Sequence, residues 1–188
     1  MKKLVLMAIV LCGLLTAGNP AMATVALSFD PVDPVVSVGD SITVNLVVSG
    51  LESLDLSTYD LNVSYDSGIL SFSGYALGSG LGNSTGESFD IGLGDDGFGQ
   101  INLCEISMLL DLNSQEDSFT LATLTFAVIA LGSSSLTISV SELGDALGDS
   151  IATCSIGSAN VNVVPIPAAA WLFGSGLLGL AGLRKRLA

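Results

Sequence analysis

Carboxylates are the side chains of this sequence best suited to chemistry, because 18 of its 188 residues are Asp or Glu and none is His. Without histidine the chain lacks Ser-His-Asp and Cys-His nucleophilic machinery and every His-ligated metal site. Two neighbouring carboxylates can still act as acid and base on a glycosidic bond. We expect solvated charges instead, so the sequence predicts no enzyme. The candidates for an acid pair by position are Asp90, Asp95, Asp96 and Glu105.

Calcium is the other ligand that these carboxylates could bind. Residues 95–97 and 111–117 offer hard oxygen ligands in predicted loops. Neither segment has EF-hand spacing, since Glu116 stands where the invariant glycine of that loop would be. We expect diffuse association of divalent cations with an acidic body and no tightly bound cofactor. The weak candidates for a defined calcium site are Asp95, Asp96, Asp111 and Asn113.

Aromatic side chains would have to supply the stacking surfaces of a sugar-binding site. The single tryptophan, Trp171, lies near the C-terminus, and phenylalanine is more often a core residue than a ligand contact. Carbohydrate binding is therefore kept as an alternative function. The aromatic candidates for it are Tyr59, Tyr75, Phe89 and Phe98.

The cations are confined to the two ends of the chain, where they border apolar runs, as membrane topology signals do. Between Val25 and Leu183 there is no Lys or Arg at all. This acidic body excludes nucleic acid as an expected partner, because phosphates require Lys and Arg. The five cations are Lys2, Lys3, Arg184, Lys185 and Arg186.

Residues 1–23 are predicted to form a secretion signal. Two lysines precede an apolar stretch, residues 4–15, which is the length of a signal helix. Ala21 and Ala23 form a small-x-small cleavage site, which would leave Thr24 as the first mature residue. The sequence therefore predicts export by the secretion machinery and cleavage by signal peptidase.

Export changes the interpretation of the cysteines. Cys104 and Cys154 remain after signal removal, and an exported pair is a plausible disulfide. A loop of about 50 residues would gain roughly 4 kcal/mol from that closure. The alternative is two buried free thiols.

Residues 164–188 have the features of a membrane-sorting signal. Pro165 and Pro167 keep the backbone extended, and residues 168–183 are uncharged and could form a helix of about 24 Å. Trp171 would lie near the outer interface and the basic end in the cytoplasm, which leaves the body in the periplasm. The sequence thus predicts one C-terminal transmembrane helix. A permanent single-pass anchor is the alternative to removal of this tail.

This tail resembles the PEP-CTERM sorting signal in its Val-Pro-x-Pro-Ala-Ala-x-Trp-Leu-Phe form, with Ile166 in place of the Glu of the Pro-Glu-Pro form. The resemblance implies recognition at the inner membrane by an exosortase, a cysteine-type transpeptidase or protease of Gram-negative bacteria. It also implies processing near residues 165–167 and delivery to the cell surface or an exopolysaccharide matrix. The matching residues are Val164, Pro165, Ile166, Pro167, Trp171, Arg184, Lys185 and Arg186.

Residues 24–163 are predicted to form a single all-β domain, a sandwich of jelly-roll type. Apolar residues alternate with polar ones in about nine short runs separated by turn residues, as in half-buried strands. The alternation shifts phase in residues 119–128 and in residues 101–108, which predicts a bulge or a strand buried on both faces. The glycine-rich segment 74–99 is predicted to form long exposed loops with one short strand.

Three segments of this body resemble the cohesin-like family. Residues 38–44 are a Val-Gly-Asp turn leading into an alternating strand, residues 61–66 a strand ending in Tyr-Asp, and residues 69–72 the strand that follows. Residues 119–126 are similar to a later central strand of that family. The resemblance implies a nine-stranded jelly roll related to carbohydrate-binding modules. Dockerin binding is not implied, because no motif in the sequence marks that surface.

These observations predict an exported, surface-sorted, non-enzymatic β-sandwich that is an exosortase substrate and an interaction module of the extracellular matrix. A carbohydrate-binding module that acts on exopolysaccharide is the alternative. An acid-pair hydrolase is the remote one.

Overall fold

A computed structural model describes residues 25–83 and 85–165 of the chain. The predicted signal helix, its cleavage site and the tail from Ile166 onward lie outside these residues. Within the described residues no helix is long and apolar enough to cross a membrane.

Strands are the regular elements of the described part of the chain, and twelve of them follow in order. They are β1 (Val25–Asp30), β2 (Val35–Ser37), β3 (Ser41–Ser49), β4 (Thr58–Ser64), β5 (Leu70–Leu77), β6 (Ser88–Asp90), β7 (Gly94–Asp95), β8 (Gln100–Ser107), β9 (Phe119–Val128), β10 (Gly132–Gly144), β11 (Thr153–Ile156) and β12 (Ser158–Val164).

The strands form two sheets. The five-stranded sheet has the order β11-β1-β3-β9-β5, and the seven-stranded sheet has the order β2-β12-β10-β4-β8-β6, with β7 also paired to β8. The β1–β11 and β2–β12 pairs are parallel, and the others are antiparallel. The predicted all-β sandwich is confirmed. The prediction of nine strands is corrected to twelve, because β2, β7 and β11 are too short to show alternation.

One apolar core lies between the sheets. Alternate residues are buried in long strands such as β3 and β4, and both sheets contribute to a single cluster. Phe126 lies in it with its ring 5.2 Å from that of Tyr65 and 5.7 Å from that of Phe72. Burying one such side chain stabilises the fold by about 1.5–3 kcal/mol, so this core holds the sheets together.

The phase shift predicted in residues 119–128 is a β-bulge. Leu46 faces Ala122, but the next residue, Val47, faces Thr120, which leaves Leu121 without a partner on β3. Leu121 and Ala122 are both buried. The extra residue moves the alternation of β9 by one position, as a bulge does.

The phase shift predicted in residues 101–108 has a different cause. The pairing of β4 with β8 is regular from Thr58–Ile106 to Ser64–Gln100, so β8 has no bulge against β4. After Leu103, the two buried positions of β8 are occupied by polar residues, Glu105 and Ser107, and Ile106 between them points outward. The prediction of a bulge or a doubly buried strand is wrong here. In the second half of β8, polar residues lie on the buried face and apolar residues on the exposed face.

Candidate functional site

Five apolar side chains lie exposed along the β6 edge of the seven-stranded sheet. Their exposed fractions run from 37% for Ile106 to 88% for Leu93. Phe89 lies opposite Ile106 in the β6–β8 ladder, and the backbone N–H of Ile91 donates to the carbonyl of Cys104 at 2.9 Å. We name this set the docking stripe; its members are Phe89, Ile91, Leu93, Ile106 and Met108.

The alternation of the edge segment explains the stripe. Ser88 of β6 is buried and the exposed Asp90 reaches the Tyr75 hydroxyl of β5 in the other sheet, so Phe89 between them points outward. The β6–β8 ladder holds this edge, and two further backbone bonds extend it, from the N–H of Ile91 to the carbonyl of Cys104 and, at 2.7 Å, from the N–H of Met108 to the carbonyl of Glu87. Single exposed apolar residues are common on protein surfaces, but a contiguous set of them marks an interaction site.

A polar network fixes one end of the stripe. The side-chain amide of Asn102 donates to Oδ1 of Asp60 at 2.8 Å and to Oδ1 of Asn62 at 3.3 Å. Its own Oδ1 accepts the backbone N–H of Leu93 at 3.0 Å. Leu93 is therefore anchored by its backbone while its side chain stays in solvent.

A buried carboxyl lies directly beneath the stripe. Glu105 is 1% exposed, and its Oε2 accepts a hydrogen bond from the Tyr59 hydroxyl at 3.0 Å. Its Oε1 has no hydrogen-bond partner. Burial raises the pKa of Glu105, the nearby hydroxyls of Ser88 and Tyr59 oppose that rise, and the Asp90 charge adds to it. Burial and the neighbouring Glu105 raise the pKa of Tyr59 as well.

The structure brings together two of the four acid-pair candidates. Asp90 lies opposite Glu105 in the ladder and accepts the Tyr75 hydroxyl at 2.7 Å and the Gly92 N–H at 3.0 Å. Burial and that bond raise the pKa of Tyr75 to about 12. A substrate cannot contact Glu105, because this residue is covered by the fold, so the pair is not arranged as an acid and a base.

The other two acid-pair candidates lie at the opposite end of β8, where Asp95 binds a tyrosine hydroxyl and Asp96 closes a turn. Asp95 accepts the Tyr65 hydroxyl at 2.9 Å, and burial together with this bond raises the pKa of Tyr65 to about 12. Oδ1 of Asp96 accepts the N–H groups of Phe98 and Gln100 at 2.8 and 3.0 Å, which lowers the pKa of Asp96.

The calcium candidates are likewise used within their own loops. Oδ1 of Asp111 accepts the N–H of Asn113 at 2.9 Å, so this pair forms one turn, while Asp95 and Asp96 belong to another. Among residues 25–83 and 85–165 no three Asp, Glu or Cys side chains are grouped to hold a metal ion. The geometry gives these residues structural roles in turns.

The aromatic candidates for sugar stacking do not form a platform. Tyr59 is fully buried and Tyr75 is bonded to Asp90, so neither presents a free ring face. Phe89 and Phe98 are exposed, but they flank opposite ends of β8, roughly 20 Å apart at 3.3 Å per residue.

A polar groove of about 790 Å³ lies on the other side of the molecule, between the loop after β8 and the outer face of the five-stranded sheet. Gln115 holds this loop in place: its Oε1 accepts the Leu56 N–H at 2.7 Å, and its Nε2 donates to the carbonyls of Leu56 and Gly80, both at 2.9 Å. Asn45, Thr123 and Glu116 line the groove, with Phe119 as its aromatic contact.

Cys104 is a free, half-buried thiol on the outer face of β8, opposite Asp60. Burial, Asp60 and Asp90 raise the pKa of this thiol. The strand that carries Cys154, β11, is the edge of the other sheet, and the Cys154 side chain is outside the described part of the structure. The Cys104–Cys154 disulfide stays a prediction.

The sequence did not predict the docking stripe. Its one signal was the phase shift in residues 101–108, where Ile106 and Met108 leave the buried positions that Ile101 and Leu103 begin. An apolar residue on the solvent side of a regular strand is the pattern that could have identified the stripe.

Comparison with known proteins identifies the fold. A model of the cohesin domain matches residues 25–162. A non-cellulosomal cohesin from the archaeon Archaeoglobus fulgidus has a similar structure, with a TM-score of 0.60 and 18% identity over 79% of this chain and 96% of that one.

Cohesins solved together with dockerins are similar too. The sixth cohesin of Acetivibrio cellulolyticus scaffoldin B, in complex with the Cel5 dockerin, has a TM-score of 0.58 and 22% identity, covering 75% of this chain and 99% of that one. The Clostridium thermocellum Coh-OlpA–Doc918 complex gives 0.60 and 15%, with coverage of 75% and 99%. No curated protein sequence matches significantly. Because the cohesin model spans most of the sequence, the chain belongs to the cohesin-domain family.

Proposed function

We propose that this protein is an exported, surface-sorted cohesin-type module that binds a partner protein through the docking stripe. The observation that carries the proposal is the placement of five exposed apolar side chains side by side at the β6 edge of the seven-stranded sheet. Fully burying one such side chain contributes about 1.5–3 kcal/mol, and a few central residues of this kind dominate the energy of an interface.

The chemistry of the partner follows from the surroundings of the stripe. Asp60, Asp90 and Glu87 lie on the same strands as the stripe or next to it, and no Lys or Arg stands between Val25 and Leu183. A partner with an apolar ridge and flanking basic residues therefore has the complementary charge. Because related folds have been solved with dockerins, a dockerin-type domain of that composition is the partner that we propose.

The ends of the chain supply the route to the surface. We propose that the secretion machinery exports the protein, that an exosortase processes the tail at the inner membrane, and that the body reaches the cell surface or matrix. The fold supports this route because β12 ends at Val164, and both Val164 and Pro165 are exposed. The processing segment would thus begin directly outside the folded body, where a protease can bind it.

The docking proposal is tested by pairing two double variants that add the same charge to different faces. Phe89→Asp with Ile91→Asp alters the stripe, and Thr43→Asp with Thr125→Asp alters the outer face of the five-stranded sheet, where these two threonines lie opposite each other. Proteins crosslinked to the displayed chain on intact cells are compared by mass spectrometry.

A partner that is retained by wild type and by the threonine variant but lost from the stripe variant supports docking at β6. If both variants retain it equally, or both lose it, the stripe is not the binding surface. Circular dichroism checks that each variant remains folded.

The sorting proposal is tested by the intact mass of the protein recovered from the cell surface. We expect a mass that lacks residues 171–188. A mass that includes the tail would identify a permanent membrane anchor instead.

Polysaccharide binding is the second candidate, and the polar groove beside Gln115 is the observation that favours it. A glycan array on the surface-recovered protein tests this alternative. Binding that is lost in Asn45→Leu but kept in the stripe variant would assign it to the groove, and no binding to any glycan would exclude it.

A further inference from the structure

We propose that the buried Glu105 carboxyl regulates the docking stripe: its neutral form holds β6 against β8, and its ionised form loosens β6 and weakens partner binding. The regulation of binding rests on the proposed docking function. The effect on β6 stands without it, since it follows from the packing of Glu105 alone.

The first reason is the position of Glu105. It follows Cys104 and precedes Ile106 on β8, and it lies opposite Asp90, which stands between Phe89 and Ile91 of the stripe. Directly opposite residues of a ladder have Cβ atoms about 4.5–5.5 Å apart. A change of charge on Glu105 therefore acts first on the strand that carries the stripe.

The second reason is that the ionised carboxylate has too few partners. Its Oε2 receives the Tyr59 hydroxyl, which also lies 3.3 Å from the Leu121 carbonyl, but Oε1 is buried and unpaired. A buried charge without full hydrogen bonding is unfavourable, and a neutral acid is much less so. Burial accordingly raises the pKa of Glu105.

The third reason is the charge of the groups that face Glu105. β4 contributes the Tyr59 hydroxyl, and β6 contributes Asp90 and the Ser88 hydroxyl. β5 contributes Tyr75, whose hydroxyl is bound to Asp90, and β9 the carbonyl of Leu121. None of these groups is a cation, so ionisation of Glu105 adds a negative charge that faces Asp90 with no counterion.

The strand β6 is the element that can yield. It has three residues and lies at the edge of its sheet, whereas β4, on the other side of β8, is paired over seven residues. Ionisation is therefore relieved most easily by separating β6 from β8 and admitting water to Oε1. That separation breaks the bonds donated by the N–H groups of Ile91 and Met108 and displaces Phe89.

Amide exchange at these two donors tests the inference without any partner. The protection of the Ile91 and Met108 amides is measured by NMR on the surface-recovered protein as pH is raised, after correction for intrinsic exchange. We expect protection to fall by up to tenfold per pH unit, the limit for one linked proton, as pH rises from the ordinary pKa of glutamate toward the raised pKa of Glu105, and to level off above it. Protection of the Val44 amide in β3 should not follow that course.

Glu105→Gln keeps the shape without the ionisation, and its two amides should keep constant protection over the same range. Glu142→Gln, an exposed site on β10, is the matched control and should behave as wild type. Asp90→Asn is the second variant; it removes the facing charge that helps to raise the pKa of Glu105, so the loss of protection should be smaller and should level off at lower pH than in wild type.

The inference is overturned if Glu105→Gln shows the same pH dependence as wild type, or if the Glu105 carboxyl titrates within the ordinary range of glutamate. Once a partner is identified, its affinity should fall with rising pH in wild type and stay constant in Glu105→Gln. A failure of that last measurement alone would count against the proposed docking face and leave the β6 result intact.

Discussion

The outer faces of the two sheets differ in one decisive respect. On the five-stranded sheet, Thr43 lies opposite Thr125, and the Thr123 hydroxyl donates to Oδ1 of Asn45 at 2.7 Å. At the β6 edge of the seven-stranded sheet, Phe89 lies opposite Ile106, and both are exposed. The first face can form its polar contacts within itself or with water, whereas the second leaves apolar area in contact with water.

This difference shows that the fold alone does not require the stripe. A threonine pair satisfies an exposed strand position with little hydrophobic area, and the five-stranded sheet uses that solution. Exposed phenylalanine and isoleucine add nothing to the core and disfavour the free protein in water. Their presence at one edge is what the proposed docking function predicts.

The strongest test of this comparison removes one side chain from each face. Phe89→Ala should weaken partner binding by about 30-fold, which corresponds to ~2 kcal/mol for a central apolar contact. Thr125→Ala should change it less than twofold. Isothermal calorimetry with the partner that crosslinking has identified measures both affinities. Equal losses of affinity would mean that the two faces do not differ in function.

The second prediction, with an expected free-energy change of nearly the same size, compares a hydrogen bond beneath the stripe with one on the outer face of the five-stranded sheet. Tyr59→Phe removes the hydroxyl that donates to Oε2 of the buried Glu105 carboxyl, whose Oε1 is already unpaired. This variant should lower the free energy of unfolding by about 1–3 kcal/mol. Thr123→Val removes a hydrogen bond on the exposed face and should cost less than about 0.5 kcal/mol. Urea denaturation measures both, and a larger loss in Thr123→Val would contradict the comparison.

Asn102→Ala sharpens the comparison within the stripe itself. It removes the acceptor for the Leu93 N–H and should lower stability by about 1 kcal/mol. It should also weaken partner binding, because Leu93 loses its anchor. Asn45→Ala on the other face is the control; it should leave binding unchanged as judged by the same calorimetry.

The smallest expected effect is at Asp96. Its lowered pKa means that the ionised form stabilises the fold above the usual pKa of aspartate, and that this contribution is lost as pH falls toward the lowered value. Asp96→Asn should therefore be slightly less stable than wild type near pH 7 and indistinguishable from it near pH 2. Thermal unfolding at the two pH values checks the sign, and a variant equally destabilised at both would refute it.

Much of the fold could be predicted from alternation, and the cohesin-like resemblance is confirmed by the family match. The alternating segments around Val44, Val63 and Val161 correctly predicted β3, β4 and β12, because each of these strands has one buried face. The bulge at Leu121 was also visible as a phase shift. Membership of this family makes the body a non-enzymatic interaction module. The PEP-CTERM assignment concerns residues outside the described structure and stays a prediction.

The candidate site could not be predicted, for physical reasons. Alternation reports which face is buried, but a strand does not reveal in its own residues that Glu105 is a core residue and Ile106 a surface one. That exchange depends on the pairing of β8 with β4 and β6, which lie far away in sequence. The acidic candidates Asp95 and Asp96 were chosen by loop position, yet Asp95 accepts the distant Tyr65 hydroxyl and Asp96 closes a turn.

The loops of this body are closed by carboxylates and not by ion pairs, and this has a consequence for its resistance to proteases. Asp66, Asp96 and Asp145 accept backbone N–H groups at turns. A trypsin-like protease cuts after Lys or Arg, and exposed loops are where proteases usually cut first. Since no Lys or Arg stands between Val25 and Leu183, such an enzyme finds no cleavage site in the body, folded or unfolded.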